Sequence, residues 1–249
     1  MKILMTCLVS LLFVSAAQAA PELSVYELRT YTAEPGHFND LITRLTAASQ
    51  LFAKHGMTNI VYWTPTDEKD GAGNKVIYLL GHKNREAAAA SWKAFGDDPE
   101  WIALRDKNEA NGKVVTKVDS NFVEATDFSP MSVKSGKPGG VFELRTYTAA
   151  EGKLAALDSR FRDHTLKLFE KHGMTNGMYF HPIDADKGGG KTLIYWLQHE
   201  NREAATASWK GFQSDPDWIA ARTESEKGGK LTAEVKSVFL QSLEFSPLR

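Results

Sequence analysis

The heptapeptide VYELRTY at residues 25–31 recurs as VFELRTY at residues 141–147. Three further motifs also occur twice in the same order: KHGMTN at 54–59 and 171–176, NREAA at 84–88 and 201–205, and DP with a nearby Trp at 98–101 and 215–218. Arg29 and Arg145 are 116 positions apart, whereas His55 and His172 are 117 apart, so the copies differ by one residue between these points. Such long identities indicate a duplicated domain.

The repeated heptapeptide has the alternation of a strand, and each copy places a Glu and an Arg on one face. Glu27 and Arg29 share a face with an aliphatic and an aromatic residue, which is not typical of a solvated surface. We therefore predict that this face, in both copies, meets another sheet, and that the face with Tyr26 and Leu28 meets helices. Burying the two charges is tolerable when they pair with each other.

Each copy reads as strand, helix, two strands, helix and strand. Residues 36–55 carry apolar side chains at helical spacing and end at a glycine, and Asn84 is a good N-cap for the second helix. This order is that of the ferredoxin-like, or split β-α-β, arrangement. The predicted fold class is α+β, with tandem ferredoxin-like domains at 24–130 and 140–247. A Gly-rich linker at 131–139 joins them, and their sheets pack into one intramolecular barrel.

The N-terminus has the pattern of a signal peptide over residues 1–19. Lys2 precedes an apolar run at 3–14, and Ala-Gln-Ala at 17–19 is a cleavage site that would leave Ala20 first. The run is too short to span a bilayer as a helix, and the alternatives are a buried strand or an uncleaved anchor. We expect an exported chain, periplasmic or secreted, with no stable membrane insertion after cleavage.

Composition and motifs exclude several classes of function. The formal net charge of −1 and the pI of about 6.7 give no electrostatic footprint for nucleic acid. The only cysteine, Cys7, would leave with the signal peptide, so the mature chain has no thiol for catalysis or metal binding. No phosphate-binding loop, zinc-binding His pair or nucleophile elbow occurs. We expect no cofactor and no metal.

The motifs ELRTYT, LFEKHGM, NREAA and SWK, taken together, resemble the NIPSNAP family of the dimeric α+β barrel superfamily. The resemblance covers nearly all of both predicted domains. It implies ferredoxin-like domains paired back to back into a barrel. Relatives in that superfamily include cofactor-independent monooxygenases and haem-binding chlorite dismutases, so the resemblance does not imply one chemistry.

Differences between the copies suggest that any site lies in the second half. His164 has Ala48 or no residue as its counterpart, and helical spacing with Leu157 and Phe161 turns it toward the sheet. His181 replaces a Thr, and Trp196 replaces a Leu. The candidate catalytic residues are His164 as a base, with Arg145 and Tyr195 orienting a substrate. The candidate ligand-binding residues are His172, His181, Trp196 and Trp209.

Structural roles are the competing interpretation of these residues. An inward His164 can be a hydrogen-bonded core residue, His172 a capping side chain, and the aromatic residues plain core. Metal or haem ligation by His164 and His172 has no motif to support it. Three functions stay open: an exported protein that binds a small apolar or aromatic molecule in a helix–sheet pocket of the second domain, a cofactor-free monooxygenase or isomerase, and an interaction scaffold. Self-association beyond the tandem pair also stays open.

Overall fold

The computed structural model describes residues 22–130 and 140–249. The first half contains strands β1 (Val25–Ala33), β2 (Thr58–Pro65), β3 (Lys75–His82) and β4 (Val115–Ala125), with helices α1 (Phe38–Lys54), α2 (Arg85–Gly96) and α3 (Pro99–Asn108). The second half contains strands β5 (Val141–Ala149), β6 (Thr175–Pro182), β7 (Thr192–His199) and β8 (Thr232–Ser242), with helices α4 (Leu154–Arg160), α5 (Leu166–Lys171), α6 (Arg202–Ser214) and α7 (Pro216–Ser225). The predicted signal peptide 1–19 and linker 131–139 lie outside the described residues.

Four helices, α2, α3, α6 and α7, begin where the sequence supplies N-cap residues. Asn84 and Asn201 each accept a hydrogen bond from the backbone NH three residues later, at the start of α2 and α6. Asp98 and Asp215 do the same for the second residue of α3 and α7, each of which starts with a proline. The last helix of each half therefore has a fixed start, and this start also matters for the histidines described below.

All eight strands are antiparallel and close into one barrel in the order β1-β3-β2-β8-β5-β7-β6-β4. The two halves join where β2 pairs with β8 and where β4 pairs with β6. The predicted α+β fold, with two ferredoxin-like domains in a single intramolecular barrel, is confirmed. The barrel interior is a continuous apolar core that includes Trp63, Phe142 and Trp196. A separate core lies under the helices of each half.

The predicted orientation of the first strands is wrong. Tyr26 and Leu28 pack into the barrel interior, whereas Glu27 and Arg29 face the helices. The physical reason is that the helix side offers hydrogen-bond and stacking partners to the two charged groups. The indole of Trp92 on α2 lies over Arg29 and donates a hydrogen bond to Glu27. The predicted burial and pairing of Glu with Arg are found in both halves, but in the helix–sheet layer.

A π-helical turn at Phe161–Thr165 separates α4 from α5 and accounts for the one-residue difference between the copies. Arg44 and Arg160 are 116 positions apart on the N-terminal side, and Phe52 and Phe169 are 117 apart on the C-terminal side. The hydroxyl of Thr165 donates to the carbonyl oxygen of Arg160, five residues earlier, at 3.0 Å. The extra residue is thus absorbed as a bulge, a feature found often at functional sites.

No helix in residues 22–130 and 140–249 is both long enough and apolar enough to cross a membrane.

Candidate functional site

Glu143 on β5 is the centre of a buried polar network that Arg145 and Trp209 share. One carboxylate oxygen accepts from the Arg145 guanidinium and from the Ser237 hydroxyl at 2.6 Å. The other accepts from Trp209 Nε1 at 2.7 Å and is 3.1 Å from His199 Nε2. The Glu143 side chain is 2% exposed, so these partners replace the water that it loses on folding. The network fixes both the Arg145 and the Trp209 side chains.

The first half contains the same network around Glu27. Arg29, Ser120 and Trp92 donate to the Glu27 carboxylate, and His82 Nε2 lies 3.3 Å from it. Burial alone would raise the pKa of Glu27, but the hydrogen bonds and the Arg29 charge outweigh burial and lower this pKa to about 2. Because both halves contain the network, its presence in the second half does not by itself mark a site.

The network forms the floor of an open cleft in the second half, which we call the Arg145 cleft. Its volume is about 400 Å³, and it opens between α6, α7 and the sheet. The residues that line it are Arg145, Tyr147, Arg160, Trp209, Phe212, Gln213, Trp218, Arg222, Glu226, Lys230, Thr232 and Val235. The predicted candidates Arg145 and Trp209 therefore lie together in one cavity, although sequence reasoning did not find most of its other residues.

Cationic and aromatic side chains dominate the Arg145 cleft. The guanidinium of Arg145 lies 4.2 Å from the ring centre of Trp209, and that of Arg160 lies 5.1 Å from that of Trp218. Glu226 accepts from Arg160 at 3.1 Å and from Arg222 at 3.3 Å, and these contacts offset its partial burial and lower its pKa. Such a surface can hold a flat aromatic group by stacking and a negative group by charge.

Tyr195 on β7 lies beneath the Arg145 cleft and is fully buried. Its ring stacks on Tyr179 at 4.9 Å, and burial raises the pKa of its phenol well above the ordinary value of 10. A phenol with such a pKa stays protonated at neutral pH, so Tyr195 can donate a hydrogen bond but is a poor base. The predicted role in orienting a substrate stays a prediction, because Tyr195 does not line the cleft itself.

His164 is exposed, and the prediction that it faces the sheet is wrong. It belongs to the π-helical turn, which shifts its direction relative to a regular helix. It lines a shallow groove of about 720 Å³ between this turn and α7, with Lys167 and Asp217 among its neighbours. The structure therefore does not bring His164 together with Arg145 and Tyr195 in one cavity.

His172 forms a clamp between α5 and the start of α7. Its Nε2 is 2.6 Å from the carboxylate of Asp215, which also pairs with Lys171 at 2.8 Å. These two partners lower the pKa of Asp215 below its usual range. The first half has the same clamp between His55 and Asp98. The geometry matches the structural alternative for His172, and its ligand-binding role stays a prediction.

His181 lies at the edge of a smaller cavity of about 510 Å³ beside α4. Its Nε2 is 3.2 Å from Asp158, and its Nδ1 is 2.9 Å from the carbonyl oxygen of Thr192. Partial burial alone would lower the pKa of His181, but the contact with Asp158 outweighs it and raises this pKa above 6.5. His181 is thus apart from the Arg145 cleft.

Trp196 lies inside the barrel, where it is 1% exposed. Its ring contacts Trp63 at 5.3 Å and Phe180 at 5.9 Å, and its indole lies directly against Gly177. In the first half, Leu79 and Ile60 occupy the positions of Trp196 and Gly177. Trp196 occupies the space beside Gly177 that a side chain there would fill, which favours a packing role, and its predicted ligand-binding role stays a prediction.

Residues 22–130 and 140–249 contain no group of three or more His, Cys, Asp or Glu side chains that could hold a metal ion.

An eight-stranded barrel made of two ferredoxin-like halves, with helices outside, defines the dimeric α+β barrel class of protein. The chain belongs to the NIPSNAP family, because the NIPSNAP family model matches residues 26–130 and 142–247. No curated protein is detectably similar in sequence.

Two solved structures that match most of the chain share its fold at low sequence identity. An anthrone oxidase-like protein is 14% identical, with a TM-score of 0.58, over 90% of this chain and 92% of its own. A putative monooxygenase from Lactobacillus acidophilus NCFM is 13% identical, with a TM-score of 0.56, over 89% of this chain and 94% of its own. A NIPSNAP family protein from Agrobacterium tumefaciens str. C58 is 16% identical, with a TM-score of 0.38, over 44% of this chain and 94% of its own.

Proposed function

We propose that the second half of this chain binds a small aromatic molecule in the Arg145 cleft. The observation that carries the proposal is the opening of about 400 Å³ between Arg145, Trp209 and Trp218. Its size is in the range of small-molecule sites, and it combines aromatic walls with a few fixed polar groups. Because the Glu143 network holds Arg145 and Trp209 in place, the ligand meets a preorganised surface.

A binding function is favoured over a catalytic one, because the candidate base His164 does not line the Arg145 cleft. The oxidase-like and monooxygenase-like structures share the fold with this chain, and at 13–14% identity they support no shared chemistry. His164 lies in a different groove, and the raised pKa of Tyr195 disfavours proton abstraction. A cofactor-free reaction would need a base within hydrogen-bond reach of its substrate, and neither residue provides one in the cleft.

A blocking substitution tests this proposal. Val235 lies on the rim of the Arg145 cleft and is 44% exposed, so Val235→Trp fills the entrance without disturbing the core. With 1-naphthol and 1-naphthoate as probes in titration calorimetry, we expect at least one to bind the unmodified protein. We expect Val235→Trp to weaken that binding by about tenfold or more, equivalent to about 1.4 kcal/mol.

Val118 provides the matched control. It occupies the same position in the first half and is 45% exposed. Val118→Trp is expected to leave the binding of both probes unchanged. If neither probe binds the unmodified protein, or if both Trp variants weaken binding equally, the proposal fails and the scaffold function is favoured.

We also propose that the chain is exported, on the pattern of residues 1–19. N-terminal sequencing of the protein from its native host is expected to begin at Ala20. A sequence beginning at Met1 would contradict export by this signal.

A further inference from the structure

Arg160 on α4 is a buried cation whose hydrogen bonds are incomplete. Its side chain is 4% exposed and lines the Arg145 cleft, and one terminal nitrogen donates to Glu226 at 3.1 Å. Its Nε is buried and has no hydrogen-bond partner. Because buried donors are normally paired, the unpaired Nε marks a position where an acceptor is missing.

The first half shows what that acceptor is. Arg44, the counterpart of Arg160, donates from Nε to the side-chain oxygen of Asn108 at 2.6 Å and from a terminal nitrogen to Glu109 at 2.8 Å. In the second half, Ser225 replaces Asn108. Its shorter side chain donates to the carbonyl oxygen of Arg222 at 3.1 Å and accepts from Arg160 Nη1 at 3.5 Å, so the Arg160 Nε stays unpaired.

Arg145 has the same deficit on the other side of the cleft. In the first half, Arg29 Nε donates to the hydroxyl of Tyr78 at 3.0 Å. The equivalent bond between Arg145 Nε and the Tyr195 hydroxyl is absent, and the buried Arg145 Nε has no hydrogen-bond partner. Two arginines that line one cleft therefore each have an unpaired Nε, whereas the Nε of each first-half counterpart is hydrogen-bonded.

The charges around the Arg145 cleft favour an anion. Arg145, Arg160, Arg222 and Lys230 line it, and the carboxylates that face them are Glu143 beneath and Glu226 at the side. In the first half, Arg105 has an additional partner in Asp106 at 2.8 Å, and Thr223 stands at the corresponding position in the second half. The Arg145 cleft thus has four positive and two negative side chains, an excess of two positive charges.

We propose that the ligand of the Arg145 cleft is an aromatic carboxylate, whose oxygens accept hydrogen bonds from the guanidinium groups of Arg145 and Arg160 that line the cleft. This inference rests on the proposed binding function and specifies its ligand class. A planar carboxylate suits a guanidinium because its two oxygens can accept parallel hydrogen bonds. The aromatic part stacks on the indole and guanidinium planes of the cleft walls.

The test compares 1-naphthoate with 1-naphthol, which share the ring system but differ in charge at neutral pH. We expect the unmodified protein to bind naphthoate at least about tenfold more tightly than naphthol. Ser225→Asn supplies Arg160 with the acceptor that Arg44 has, so it is expected to reduce this preference to about threefold or less while naphthol affinity stays the same. Asn108→Ser, the reciprocal change in the first half, is expected to leave the preference unchanged.

The outcomes separate this inference from the binding proposal. If the unmodified protein binds both probes equally, or if Ser225→Asn keeps the preference for naphthoate, the ligand class is wrong and binding in the cleft still stands. If neither probe binds, both proposals are overturned. The melting temperature of Ser225→Asn is measured as well, and we expect it to match that of the unmodified protein because the first half accommodates Asn at this position.

Discussion

Replacing Glu143 by Leu is expected to lower the free energy of unfolding by about 3–5 kcal/mol. The Arg145 side chain is only 13% exposed, so the substitution leaves a largely buried guanidinium without its carboxylate. The donors of Trp209 and Ser237 lose their acceptor at the same time. Each unpaired buried donor adds a desolvation cost of about 1–3 kcal/mol. Urea denaturation followed by far-UV circular dichroism measures the change.

Two controls separate the ion pair from its surroundings. Glu27→Leu in the first half removes the same set of contacts and is expected to cost a similar amount. The double variant Glu143→Leu with Arg145→Met removes both charges, and we expect it to be more stable than Glu143→Leu alone. A loss below about 1 kcal/mol in the single variant would show that water replaces the carboxylate, which contradicts a sealed network.

The Glu143 carboxylate also makes the free energy of unfolding depend on pH in acid, and Glu143→Gln is expected to remove this dependence. Burial alone would raise the pKa of Glu143, but hydrogen bonds and the Arg145 charge outweigh it and lower this pKa to about 2 from 4.5. A lowered pKa contributes stability that is complete above about pH 4.5 and is lost as the pH falls toward 2. The unmodified protein is therefore expected to lose stability in this window more steeply than Glu143→Gln does. Equal slopes would contradict the lowered pKa.

The fold could be predicted because its determinants are local or repeated. Strand alternation, N-cap residues and glycines at helix ends each depend on a few neighbouring positions. Because the domain is duplicated, each of these signals occurs in both copies. The orientation of the first strand could not be predicted in the same way. Alternation shows that Glu27 and Arg29 share a face, but only Trp92, distant in sequence, determines that this face meets a helix.

The error at His164 came from assuming a regular helix. Spacing of 3.6 residues holds only without a bulge, and the change from 116 to 117 positions between the copies was the signal that one residue had been inserted. The π-helical turn contains His164, so the residue that looked most catalytic in sequence points away from the core.

The functional asymmetry of the two halves stays a prediction. The candidate site of the second half is now the Arg145 cleft instead of the surroundings of His164. Four differences lie in or beside the Arg145 cleft: Gln213 for Gly96, Thr223 for Asp106, Ser225 for Asn108, and Thr232 for Val115. Each is an ordinary exchange of small or polar residues, which does not stand out in sequence as a His or Trp does. The importance of Ser225 follows from the unpaired Nε that it leaves on Arg160, and that of Thr223 from the negative charge that Asp106 has in the first half.

Gly177→Ala is expected to lower the free energy of unfolding by about 3 kcal/mol, an effect of overpacking. A Cβ atom at Gly177 would lie 2.1 Å from Nε1 and 2.3 Å from Cδ1 of Trp196, closer than atoms can approach. The indole cannot move aside easily, because Trp63 and Phe180 confine it within the barrel. Gly228→Ala is the matched control, since its nearest neighbour would be the end of a Lys side chain at 3.5 Å.

A compensating pair tests whether Trp196 serves packing alone. The first half fills the same two positions with Ile60 and Leu79, so Gly177→Ile combined with Trp196→Leu reproduces an arrangement that this fold already accommodates. We expect the double variant to be more stable than Gly177→Ile by about 2 kcal/mol or more. Its affinity for the naphthalene probes is expected to be unchanged, because Trp196 does not line the Arg145 cleft. A stable double variant that no longer binds the probes would show that Trp196 contributes to ligand binding.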